Sequence, residues 1–229
     1  MNRRHFAVMA LTGLALAGNG TAALAEKPPA EWDGLVRVKS KKFNLVYLLP
    51  GADFRAYGKV LLDPTEIAFE KDWQRNYNLS APVDRLTDKD IQRMTQEGSA
   101  GVGKILEKAY AAGGYPVVAA AASDVLRVRT ALVNIRVSAP DLDSAVMMRT
   151  YAPDAGEATL VVEARDSMTG ALLGRAVDAQ EAGDLSVGQR NRVTNRADFA
   201  RIVEVWAKNG VKGLDELKAL SPIKDGDTV

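Results

Sequence analysis

Three acidic residues set near turns, Asp53, Asp63 and Glu66, are the groups in this sequence best placed to do chemistry. Two carboxyls about 5–10 Å apart across a cleft can hydrolyse a glycosidic bond. These three are therefore the candidate acids of a carboxylate-dependent hydrolase acting on an envelope glycan. A second candidate is basic. Arg127 and Arg129 lie two apart in a β-rich run, so both project from one face of a strand. That pair can clamp an anionic ligand, or it can be neutralised by acids near the strand end; acid pairing is the expectation. Arg127, Arg129 and Asp53 are the candidate ligand-binding residues. Asp141 and Asp143 are a lone Asp-x-Asp without further oxygen donors at loop spacing, so no metal site is expected. Residues 99–104 (SAGVGK) lack the first Gly and the final Ser/Thr of a phosphate loop and sit in a helical pattern, which argues against nucleotide binding.

What is missing narrows the chemistry further. The chain has no Cys, and its one His is His5. Ser-His-Asp and Cys-His catalysis need residues that are not there. His/Cys zinc sites and Cys-bound clusters are excluded on the same ground. No cofactor is expected, and a binding role is favoured over an enzymatic one.

The N-terminus reads as an export signal. Arg3 and Arg4 precede an apolar run over 6–17, and Ala23-Leu24-Ala25 offers a small-x-small cleavage pattern. Cleavage is predicted after Ala25, with export by the Sec or Tat route into the periplasm. Without Cys there is no lipid anchor on the mature chain. Residues 26–229 carry 28 Lys+Arg against 29 Asp+Glu, a balance that gives nucleic acid no electrostatic foothold.

These groups need a scaffold, and the pattern predicts an α+β fold. Segments 44–49, 59–62 and 66–69 read as short strands, 115–119 as another, and 125–137 as a central strand, apolar on both faces over its second half. Residues 158–165 and 171–179 flank Asp166-Ser-Met-Thr-Gly170, a hairpin with a left-handed Gly at its end. Thr87-x-x-Asp90 opens a long helix over about 87–112, which Gly98, Gly101 and Gly103 are expected to kink or to divide into two helical segments. Asn195 opens a second helix over about 195–209 along the stripe Phe199, Ile202, Val203, Trp206, with Gly210 as its stop. The expected architecture is a single mixed or mostly antiparallel sheet with both helices packed on it. Its organisation is a signal peptide (1–25), an exposed lead-in (26–43), one domain (44–220) and a flexible tail (221–229).

One stretch is dense with turn residues: LLPGADFRAYGKVLLDP, residues 48–64. Pro50-Gly51 suits the centre of a type II turn, and Asp53 is placed to cap a single helical turn holding Phe54 and Tyr57. This stretch, the later SDVLRV and its β run, and DSMTGALLGRAVD come in an order that resembles the DUF3313 proteins, exported bacterial proteins of unknown function that are often lipoproteins. The resemblance spans roughly residues 32–210 and implies an envelope α+β domain, without implying catalytic residues. The leading expectation is a non-catalytic exported envelope protein, a binding or assembly module for another envelope protein, a polymer or a lipid component. The glycan hydrolase and the small anionic-ligand binder are the alternatives.

Overall fold

The computed structural model describes residues 28–80, 85–138, 150–152, 156–182, 188–190, 192–224 and 226–229. The signal segment 1–25 and the Asp141/Asp143 pair lie outside the described residues. The chain folds as α+β around one mixed eight-stranded sheet.

The strands, in chain order, are β1 (Glu31–Trp32), β2 (Leu35–Val38), β3 (Leu45–Leu48), β4 (Lys59–Leu62), β5 (Glu66–Phe69), β6 (Val125–Val137), β7 (Thr150–Ala152), β8 (Gly156–Asp166), β9 (Leu172–Ala182) and β10 (Gly188–Arg190). The helices are α1 (Trp73–Ser80), α2 (Asp88–Ala112) and α3 (Arg192–Leu220). The sheet order is β1-β2-β3-β9-β8-β6-β4, with β5 also pairing β6. β4 and β5 run parallel to β6, and the other pairs in this sheet are antiparallel. A parallel pair needs a long crossover, and α2 supplies it. β7 and β10 form a separate antiparallel pair.

Period-two alternation gives the sheet two different faces. Leu126, Val128, Thr130 and Leu132 of β6 point one way and are buried. Val102, Leu106 and Tyr110 of α2 and Ile202, Val203, Trp206 and Leu214 of α3 pack in the same core. The odd-numbered residues 127–133 of β6 point the other way, and each keeps some solvent exposure.

The long helix starts as the sequence says. Thr87 Oγ1 accepts from the Asp90 N–H and Asp90 Oδ2 accepts from the Thr87 N–H, a reciprocal capping box. The glycines do not split it: α2 is one continuous 25-residue helix. α3 runs ten residues beyond the expected stop at Gly210. A Cβ there would sit 3.2 Å from Tyr110 Oη, so this glycine lets α2 and α3 approach closely instead of ending the helix.

Both ends of the chain also depart from expectation. The lead-in 26–43 supplies β1 and β2, and Leu35 is fully buried. Asp33 (φ 54°) and Gly34 (φ 79°) make the tight turn between them; two successive positive φ angles are what a type I′ hairpin turn requires. The tail is docked. Ile223 is buried and exchanges backbone hydrogen bonds with Gly51 and Ala52, while Val229 does so with Lys39 and Lys41. Segment 115–119 forms only an isolated bridge, Val60 to Val117. The connector 72–86 contains α1, whose Trp73 stacks on Phe69 with centroids 4.9 Å apart.

Candidate functional site

On the sheet face away from the helices, a row of side chains crosses five strands in register. Arg37 stands opposite Tyr47, Tyr47 opposite Arg175, Arg175 opposite Glu163, and Glu163 opposite Arg129. Opposite charges directly across a ladder stabilise a sheet, and Glu163 sits between Arg175 and Arg129 in this row. It accepts from Arg175 Nη2 at 2.7 Å and from Arg165 Nε at 2.9 Å. Burial opposes its charged form, but the hydrogen bonds and charges of Arg175 and Arg165 together outweigh that and hold its carboxyl below the ordinary value. Arg175 is only 8% exposed. Its Nη1 reaches Asp33 Oδ2 at 2.8 Å, and its guanidinium lies 4.0 Å from the centre of the Trp32 ring.

The nominated arginines and two of the nominated acids join the end of this row. Arg127 Nε donates to both Asp63 oxygens at 3.0 Å. Arg129 Nη2 donates to Glu66 Oε1 at 3.1 Å, and its Nε lies 3.5 Å from Asp63 Oδ2. The sequence therefore picked out two groups, an acid pair and a base pair, that the fold places together as mutual partners. Arg127, Arg129, Arg165 and Arg175 meet Asp33, Asp63, Glu66 and Glu163, so the network is balanced in charge.

Asp53 stands apart from the network. Instead of capping a helical turn, it accepts from the Arg55 N–H and pairs with the Arg55 side chain at 2.5 Å. The Arg55 hydrogen bonds lower its carboxyl to about 2. Around it, the turn-rich stretch acts as a fastening point. Gly51 has φ 79° and the Ala52 N–H bonds Leu49 O, as a type II turn requires. The Phe54 N–H donates to Ser221 Oγ at 2.8 Å, Tyr57 Oη donates to Asp166 Oδ2 at 2.8 Å, and Lys218 donates to Tyr57 O. Burial first, then the bond to Asp166, raise the Tyr57 hydroxyl above its ordinary value.

The helix-covered face holds a feature that carries no sequence motif. A cavity of about 100 Å³ lies between the sheet and the two long helices, with Val128, Leu132, Leu160, Val203, Trp206 and Leu214 on its walls. Half-buried Lys42, Phe43, Leu217 and Val229 line it as well. Lys42 Nζ pairs with Glu216 Oε2 at 2.5 Å. Near this cavity Asp178, 3% exposed, accepts from Trp206 Nε1 at 2.7 Å and from the Asn44 N–H at 2.9 Å. Among the described residues no group of three or more His, Cys, Asp or Glu is arranged to hold a metal ion.

The family model described as "Protein of unknown function (DUF3313)" matches residues 27–209. No curated protein matches the chain. Among solved structures, the chain is similar to the PelC dodecamer from Paraburkholderia phytofirmans, at 15% identity over 72% of this chain and 95% of that one, TM-score 0.36. It is similar to a minor lipoprotein from Acinetobacter baumannii at 9% identity over 70% and 94%, TM-score 0.33. A lipoprotein from Neisseria meningitidis follows at 13% identity over 66% and 98%, TM-score 0.22. Likeness at this level bears on neither ligand nor assembly.

Proposed function

The chain belongs to the DUF3313 family, proteins of unknown function, and we propose that it works as a non-catalytic, exported envelope module that binds rather than transforms its partner. One observation carries this reading: Asp63 and Glu66, the nominated acids on the open face, are held by the arginines nominated as an anion clamp. A general acid or base must be free to exchange a proton with a substrate, and a clamp must have charge to spare. The mutual pairing of Asp63 and Glu66 with Arg127 and Arg129 supports neither the hydrolase nor the anion binder. Export is supported by the sequence of residues 1–25, and no helix among the described residues is long and apolar enough to cross a membrane.

The test has two arms. The full chain is expressed in a Gram-negative host, and the periplasmic fraction is analysed by N-terminal sequencing. A periplasmic product beginning at Glu26 is expected, and an uncut cytoplasmic product would overturn the export reading. The purified mature chain is then incubated with peptidoglycan and envelope polysaccharide. No reducing ends should be released; release that Asp63→Asn abolishes would overturn the non-catalytic reading.

A further inference from the structure

We propose that the cavity between the sheet and the helices is a binding site for a short segment of a linear alkyl chain. This rests on the binding-module reading and names a ligand class for it. The walls named above are almost wholly apolar, and an apolar cavity excludes water, because water there would lose its hydrogen-bond partners. Such a void also forfeits the dispersion contacts that a filled core makes. At about 30 Å³ for a water-sized group, 100 Å³ takes three or four chain carbons.

A second observation shows that the void is left by the sequence and not forced on it. Gly210 and Gly213 of α3 both line the cavity. The Gly210 Cβ position is taken by the close approach of Tyr110 Oη, but a Cβ at Gly213 would meet nothing within 4 Å. An interior glycine weakens a helix relative to alanine, and no neighbour of Gly213 requires it. Gly213 lies on the α3 stripe of Val203, Trp206, Gly210, Leu214 and Leu217 that lines the cavity, so a larger side chain there would occupy the room of a ligand. Lys42, Phe43 and Val229 line the cavity and are half-buried, so a chain tail entering beside them would leave its head group outside, and the site would read the alkyl part of the molecule.

The probes are 8-bromooctan-1-ol and 8-bromooctanoate, because bromine quenches an indole it touches and Trp206 is on the cavity wall. Both probes should quench the fluorescence of the mature chain saturably. A tighter fit for the carboxylate probe would add a contact from Lys42, whereas equal binding means that the chain alone is read. Gly213→Leu should melt no lower than wild type and bind at least tenfold more weakly. Thr130→Leu fills the same space from the opposite wall and should weaken binding similarly, so the test survives if one variant fails to fold. Gly101→Leu, on the exposed side of α2, should bind as wild type does. Absence of saturable quenching by both probes, or wild-type affinity in a folded cavity-filling variant, overturns the assignment. Export and inertness are read by the separate arms above, so failure here is distinguishable from failure there.

Discussion

Replacing Asp178 with alanine should undock α3 from the sheet, and the cost can be worked from its contacts. The carboxylate accepts from Trp206 Nε1, the Asn44 N–H and Gln180 Nε2 at 2.7, 2.9 and 2.9 Å. The Asn44 donor is the backbone N–H of an exposed residue, and the Gln180 side chain is half-buried and can turn to water. Trp206 is 3% exposed, and its N–H cannot. A hydrogen bond to a charged acceptor contributes about 1.5–3 kcal/mol, and a stranded buried donor costs about 1–3 kcal/mol. Removing a buried charge returns part of this, so the net loss should be about 2–4 kcal/mol. Urea unfolding followed by far-UV circular dichroism reads it. With a slope of about 1–3 kcal/mol per molar, the midpoint should fall by about 1–2 M. Asp178→Asn keeps an oxygen acceptor and should cost about half as much. In a double-mutant cycle, Trp206→Phe removes the stranded donor, and the coupling should be at least about 1 kcal/mol. A loss within about 0.5 kcal/mol for Asp178→Ala, or strict additivity with Trp206→Phe, would refute the reasoning.

Arg175→Lys should cost about 1–3 kcal/mol in the same assay, because lysine cannot hold Glu163 and Asp33 with one planar fork while stacking on Trp32. Acid should weaken the fold through Glu163. Its folded carboxyl lies below the ordinary 4.5, so the unfolded chain binds more protons there. Its contribution is full above that value and is lost as pH falls through the folded pKa; Glu163→Gln should flatten this part of an acid titration of stability. Gly156→Ala should destabilise by several kcal/mol, since φ is +137° and a Cβ would lie 1.9 Å from Arg136 O, within the β6–β8 pairing. Hydrogen exchange should show the loss of protection beginning at Val137.

Local signals were enough where the chain's own chemistry decides the structure. The capping box at Thr87, the hairpin at 166–170 and the bounds of β4, β5 and β6 follow from residues within a few positions of each other. Misreadings came where a distant partner decides. Gly210 looks like a helix stop until Tyr110 is seen above it, and the tail looks mobile until Ile223 is seen against Gly51 and Ala52. β1 and β2 carry a local signal of their own, the Asp33-Gly34 pair between two short β-prone runs. The candidate site divides in the same way. Sequence could place Arg127 and Arg129 on one strand face, but their pairing with Asp63 and Glu66 depends on β4, β5 and β6 lying side by side. The cavity left no motif, because its lining is drawn from seven or more separate segments that each read as ordinary core.

The stretches that resemble the family turn out to be fastenings. Tyr57 ties the turn-rich segment to Asp166, the Phe54 N–H ties it to Ser221, Ser167 bonds the backbone of Ala122, Arg175 anchors the open-face network and Asp178 holds α3. Substitutions in these motifs should therefore change stability first, and a loss of function that follows would not locate a site. Variants that separate the two must leave the fastenings intact and alter only space or surface. Gly213→Leu meets that condition, since a Cβ there meets nothing within 4 Å and leucine suits a helix interior better than glycine. A binding defect in a variant that is at least as stable as wild type points to the lost room in the cavity, so this position can separate function from folding where the family motifs cannot.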